Sequence, residues 1–278
     1  MSTGALWFRG RSTASFRISA PGRAALIRAT LTLMTSLEPF PDDWRTALVV
    51  AAHPDDIEYG TSAAVAAWTA AGKDVTYLLV TRGEAGIDTM APAEASVVRE
   101  QEERDGALEV GVEVVDFLDG FPDGTLRPGL ELRRALAREI RRRRPDLVAT
   151  GTYAARFAGG ALNQADHRVV GLEVLDAVAA AGNRWIFPEL VEEGLEPWSG
   201  VRYQCWSGGA DVTHEMDVTE HLEAAVRSLE AHRRYNEALP ADYPSPRQLL
   251  TSILGDPASV GAEGRPTRYR WTADVAGA

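Results

Sequence analysis

The chain has 278 residues, 45% hydrophobic and 25% charged, with a net charge of -11. That is enough apolar material for one large globular domain or two modest ones, and it leaves no broad basic surface to neutralise phosphates, so nucleic acid fits poorly as a partner. A single cysteine, Cys205, excludes an internal disulfide and a thiolate-rich metal site and suits a reducing, cytoplasmic setting.

Residues 1–33 contain Arg9, Arg11, Arg17, Arg23 and Arg28 and no acid. This segment reads as a basic, disordered extension ahead of Met34, with an organelle transit peptide as the alternative. Residues 34–278 are expected to form a single domain. No apolar run reaches the roughly 18 residues of a membrane span, so a membrane is not an expected partner.

From Trp44 onward, strand-like and helix-like stretches alternate, which predicts a mostly parallel α/β sheet with flanking helices. Ala47–Ala51 is the first expected strand, and a helix over 58–71 ends at Gly72. "DVTYLLVT" is the second strand, closing on "RGEAG". A helix over 93–109 follows, then the strand "VEVVDFL" and the turn "DGFPDG". Leu130–Arg144 reads as an amphipathic helix whose basic last turn complements the helix dipole. Its "RRRR" run at 141–144 is expected to be a solvated helix end. "PDLVATG" is the fourth strand, and a loop ending in "NQADHR" leads into a helix through Ala181. "WIFPEL", "VRYQCWSG" and "THEMDV" read as short later strands forming an antiparallel extension. A final helix is expected over 217–239, and the Pro-, Gly- and Ser-rich tail from Ala241 reads as loop.

The chemistry collects at the tips of these strands. "LVVAAHPDD" drives a buried strand straight into His53, Pro54, Asp55 and Asp56, and open α/β sheets keep their ligand sites at such carboxyl ends. A catalytic zinc takes three ligands from His and carboxylate and leaves a position for water. His53 and Asp56 offer two. Among the remaining histidines, His167 follows the fourth strand as His53 follows the first, so both lie on one sheet edge; His214, His221 and His232 are less well placed. Asp55, beside the ligands but not among them, is positioned to take a proton from an attacking water. The competing reading of "HPDD" is a turn whose aspartate caps the following helix.

"AAHPDD", "TRGEAG", "VVREQEERDGALEVGV", "NQADHR" and "SLEAHRRYNEAL" together resemble the PIG-L/LmbE-type deacetylases, over about residues 44–239. The resemblance implies a Rossmann-like fold and a Zn2+-dependent hydrolase that removes acyl groups from N-acetylglucosamine derivatives. It implies one Zn2+ per chain on His53, Asp56 and His167, Asp55 as general base, and Arg99 as a substrate contact; Fe2+ or cobalt suits the same ligands. The family's second motif commonly carries a histidine where this chain has Gln164, an amide that can donate a hydrogen bond but cannot exchange a proton near neutral pH. Asp166, often the partner of that histidine, is left with substrate binding or helix capping as its role. The expected function is therefore deacetylation of an amino-sugar conjugate, as a monomer or homo-oligomer. The alternatives are an amidase of a mycothiol-type thiol conjugate and a catalytically weakened metal- and sugar-binding protein.

Overall fold

The computed structural model describes residues 36–277, so the segment 1–33 and its expected disorder lie outside the described residues. In chain order the elements are β1 (Glu38–Pro39), β2 (Thr46–Ala51), α1 (Asp56–Gly60), α2 (Ser62–Ala70), β3 (Asp74–Leu79), α3 (Pro92–Glu109), β4 (Val114–Phe117), α4 (Leu130–Arg143) and β5 (Leu147–Gly151). There follow α5 (Ala165–Ala181), α6 (Pro188–Glu192), β6 (Tyr203–Ser207), β7 (His214–Asp217), α7 (Leu222–Glu230), α8 (Arg233–Ala238), α9 (Pro246–Leu254) and β8 (Arg270–Gly277).

The central strands read as continuous apolar runs because both of their faces are covered. Along β2, Ala47, Val49 and Ala51 enter one core and Leu48, Val50 and then Ala52, just past its end, the other. In β3, Val75, Tyr77 and Leu79 join the first core, while Leu78 and then Val80 join the second. Helices α2, α3, α7 and α9 contribute to the first core and α4 and α5 to the second. Among the described residues the sheet runs β1-β7-β8-β6-β5-β2-β3-β4. β6, β5, β2, β3 and β4 are parallel, and β8 is antiparallel to both β6 and β7. This is the expected α/β fold with its mostly parallel sheet and short antiparallel part. The chain leaves β2 toward β3 and β4, then returns to β5 on the other flank of β2, so the β2 and β5 tips form the switch point where such sheets bind ligands.

Four local expectations fail. The helix over 58–71 is two helices, because the Gly60 carbonyl accepts from Trp271 Nε1 at 2.9 Å and Thr61 turns away to meet Ser207 at 2.9 Å. "WIFPEL" forms no strand; Pro188 cannot donate to a ladder and instead starts α6, with Phe187 at φ 56° ahead of it. The final helix starts at Leu222 and breaks at Ala231–His232 into α7 and α8. The tail from Ala241 contains α9, started by a Ser245/Gln248 capping box, and β8, whose Trp271 and Ala273 alternate into the first core.

The arginine run is also not uniformly solvated. Arg141 is buried, and its guanidinium donates to the carbonyls of Ala180, Ala181, Asn183, Ile186 and Phe187, closing the C-terminal end of α5. No described helix is long and apolar enough to cross a membrane.

Candidate metal centre

Strand β2 ends at Ala51, and the next four residues turn sharply into α1. The turn requires Asp55 at φ 87°, a left-handed conformation that aspartate tolerates better than most residues. Asp55 occupies the N-cap position of α1 but its side chain makes no capping bond, so the helix-cap reading of "HPDD" does not hold. Asp56 instead folds back, its Oδ2 accepting the His53 backbone N–H at 2.9 Å.

From the other side of the switch point, the first turn of α5 supplies His167. His53 Nδ1 and His167 Nε2 face each other at 3.2 Å, and the Asp56 carboxylate turns one oxygen to each, Oδ2 3.3 Å from His53 Nδ1 and Oδ1 3.0 Å from His167 Nε2. The three residues suggested by the sequence therefore converge. Their separations fit a tetrahedral ion with bonds of about 2.0–2.1 Å, whose ligand atoms lie roughly 3.3 Å apart. The outer ring atoms fit as well. His167 Nδ1 meets Asn163 Oδ1 at 3.0 Å, and His53 Nε2 meets Asp123 Oδ1 at 3.0 Å with Asp166 Oδ2 at 3.5 Å. Partners of this kind orient metal-binding histidines and fix their tautomers.

Burial alone would lower the His53 pKa, but the carboxylates of Asp56, Asp123 and Asp166 outweigh it and hold it well above the usual histidine range. For Asp56, burial works upward and the two imidazoles prevail, keeping its carboxyl far below the usual range. Asp55 is 3% exposed, and burial raises it to about 6 against the opposing pull of Arg99. A carboxylate poised there suits proton transfer near neutral pH.

Arg99 is buried and faces Asp55, its Nη2 3.0 Å from Asp55 Oδ1 and donating also to the Pro54 carbonyl. The structure thus gives this arginine to an aspartate of the same chain, although it also borders the cavity. A Cβ at Gly86 would collide with the Arg99 guanidinium, so a side chain there would displace that arginine from its present place. Gln164 is exposed at the N-cap of α5 and lines the cavity. Asp166 does not cap α5: its carboxylate accepts the Gly124 and Leu126 amides at 2.8 and 3.2 Å, holding the 119–126 loop beside His53.

Sequence reasoning missed several residues. Asp123 lies in the "DGFPDG" turn; its position just beyond the β4 tip was the available signal. Its second carboxylate oxygen accepts the Ala85 amide at 2.9 Å, and Glu84 accepts the Asp123 amide at 2.9 Å, so the two loops clasp each other. Asn163 was also missed, as were Glu58 and Glu103, which form a fully buried group behind Asp55 with His232, a histidine weighed above only as a less well placed ligand. A cavity of about 690 Å³ opens over the centre, bordered also by Tyr59, Phe157, Tyr235 and Tyr243.

Residues 48–178, which carry both candidate ligand loops, match the PIG-L family, described as GlcNAc-PI de-N-acetylase. The chain is 29% identical over 201 residues to the diacetylchitobiose deacetylase of Thermococcus kodakarensis, spanning 70% of this chain and 71% of that protein. It shares the fold of N,N'-diacetylchitobiose deacetylase from Pyrococcus horikoshii with a TM-score of 0.72 at 21% identity, covering 95% of this chain and 94% of the other. The conserved protein TT1542 from Thermus thermophilus is similar at 25% identity and a TM-score of 0.63, over 82% of this chain and 93% of its own. It is over residues 48–178, which hold both of the loops that converge at the switch point, that the chain matches the PIG-L family.

Proposed function

We propose that this protein is a zinc-dependent amidohydrolase that removes a short acyl group from an N-acylated amino sugar, with His53, Asp56 and His167 as the metal ligands. The observation that carries this reading is the mutual spacing of those three side chains, 3.0 to 3.3 Å, with Asp55 buried beside them and outside the ligand set. The relatives named above as diacetylchitobiose deacetylases support an N-acetylglucosaminide as the substrate class.

Bound there, a divalent metal supplies Lewis acidity that polarises the acyl oxygen and acidifies water. The chain's own residues do the rest. Asp55 takes the proton of the attacking water at its carboxylate and returns it to the departing nitrogen. Arg99, fixed to one oxygen of Asp55, keeps the carboxylate aimed and favours its charged form. Gln164, at the cavity wall, donates a side-chain N–H to the oxygen on which negative charge develops, where a histidine would do the same and also pass a proton.

Gln164 also motivates a second reading, a protein that binds metal and sugar with little turnover. One experiment separates the two: metal content of the wild type and of His53→Ala, with acetate release from a panel of N-acetylglucosaminides. About one metal per chain, lost in the variant, together with acetate from the wild type, supports the hydrolase. Metal with ligand binding but no product supports the binder, and a wild type without metal removes both.

A further inference from the structure

Behind Asp55, away from the cavity, Glu58, Glu103 and His232 are all completely buried. His232 Nε2 lies 3.7 Å from Glu58 Oε2 and 3.7 Å from Glu103 Oε2. Glu58 has its other oxygen engaged, whereas Glu103 engages the same oxygen that faces His232. Glu58 Oε1 takes the Ser228 hydroxyl at 3.1 Å, and Glu103 Oε2 takes the backbone N–H of Asp55 at 3.0 Å. That last bond matters because Asp55 is the residue at φ 87°, a strained conformation that persists only when its surroundings impose it.

The imidazole reaches this cluster because the C-terminal helix breaks. His232 sits between α7 and α8 at φ -76°, ψ 56°, where an unbroken helix would have turned it elsewhere. Asn236 takes up the Leu229 carbonyl freed by the break, and Glu102 accepts the Arg234 amide at the start of α8. Three residues further along, Tyr235 lays its ring under the Arg99 guanidinium at 3.9 Å, and Arg99 in turn holds the Asp55 carboxylate.

We propose that the interrupted helix is a positioning device for Asp55: His232 packs its imidazole against Glu103 without a hydrogen bond and confines that carboxylate, which holds the Asp55 amide, while Tyr235 stacks on Arg99, which holds the Asp55 carboxylate. The inference rests on Asp55 being the base. Both arms come from one break in the chain, so the backbone and the side chain of Asp55 are fixed together. In this arrangement Glu103, His232 and Tyr235 are positioning residues that act through Asp55 and Arg99.

The test uses paired variants of the full chain. Glu103→Gln keeps an oxygen acceptor for the Asp55 amide and Glu103→Ala removes it. Tyr235→Phe keeps the ring under Arg99 and Tyr235→Leu removes it. With the N-acetylglucosaminide that gives most acetate, Glu103→Ala and Tyr235→Leu are expected to lose at least tenfold in kcat with KM within about threefold and metal content unchanged. Glu103→Gln is expected to stay within threefold of wild type, and Tyr235→Phe to keep at least threefold more kcat than Tyr235→Leu. A crystal structure of Glu103→Ala gives a readout independent of activity: Asp55 is expected to leave positive φ. Equal kcat within both pairs, or an unmoved Asp55 in that structure, overturns the proposal. A second equivalent of metal in the wild type that is lost in His232→Ala also overturns it, since the cluster would then be a cation site. Asp55→Ala, measured alongside, separates the two levels: unchanged turnover there removes the base assignment, whereas a large loss there with full activity in Glu103→Ala and Tyr235→Leu removes only the brace.

Discussion

His53 Nε2 lies 3.0 Å from Asp123 Oδ1, on the side of the imidazole away from His167. One ring nitrogen is thereby occupied by a carboxylate and the other left to face the ligand triangle. Asp123→Asn weakens the acceptor without changing its shape. It is expected to lower zinc affinity by about 10- to 100-fold, as loss of such a partner typically does, while the far-ultraviolet circular dichroism stays unchanged. Competition with a chromophoric chelator measures it; wild-type affinity would disprove the role of Asp123.

Removing the metal should also cost stability, because an ion that binds only the folded chain stabilises it by mass action. Dialysis against a chelator is expected to lower Tm, and one equivalent of zinc is expected to restore it. His167→Ala, which opens the triangle, should show no zinc-dependent shift in the same melting experiment.

Burial pushes the Glu58 carboxyl up to about 7, from an ordinary value of 4.5. The folded chain therefore holds this proton through a range in which the unfolded chain has released it. The contribution is fully present below about pH 4.5 and is lost as pH rises through 7. Glu58→Gln imitates the protonated acid. Its Tm relative to wild type is expected to rise by a few degrees between pH 5 and pH 8, and a pH-independent difference would contradict the assignment.

Arg141 closes the end of α5 by donating to backbone carbonyls on five residues. Arg141→Ala leaves those carbonyls without their charged donor and is expected to cost about 2–3 kcal/mol in urea unfolding. Arg142→Ala, on an exposed neighbour, should cost less than about 1 kcal/mol.

Gln164 is exposed on the cavity wall, so a larger ring can be placed there without repacking. Gln164→His restores a group able to exchange a proton. Acetate release is expected to increase about tenfold or more with metal content unchanged. A fall in rate would mean that the amide performs a task in this chain that an imidazole cannot.

The strands that carry the centre were legible because burial on both faces leaves long apolar runs, as in "ALVVAA", and because those runs end abruptly in polar residues. The same logic placed His53 and His167 on one edge. It could not place Asp123 or Asp166, whose contacts with His53 depend on how the 119–126 loop folds over a neighbouring tip. Nor could it find the helix break at His232: "LEAAVRSLEAHRRYNEAL" has no proline or glycine, and the interruption reflects tertiary partners for the freed backbone groups. β8 was hidden for another reason. Its half-buried alternation is short, and the Gly- and Pro-containing stretch before it suggests loop.

The place of β8 in the sheet has a consequence for the order of assembly. β7 pairs with β1 and β8, and among the described residues only β8 joins that pair to the remaining strands, through β6. Residues 270–277 are synthesised after every other described strand, so until they leave the ribosome β6 presents a bare edge and the cavity lacks the wall that Arg270, Trp271 and Thr272 give it. The nascent chain must keep that edge from pairing with a stranger until β8 arrives.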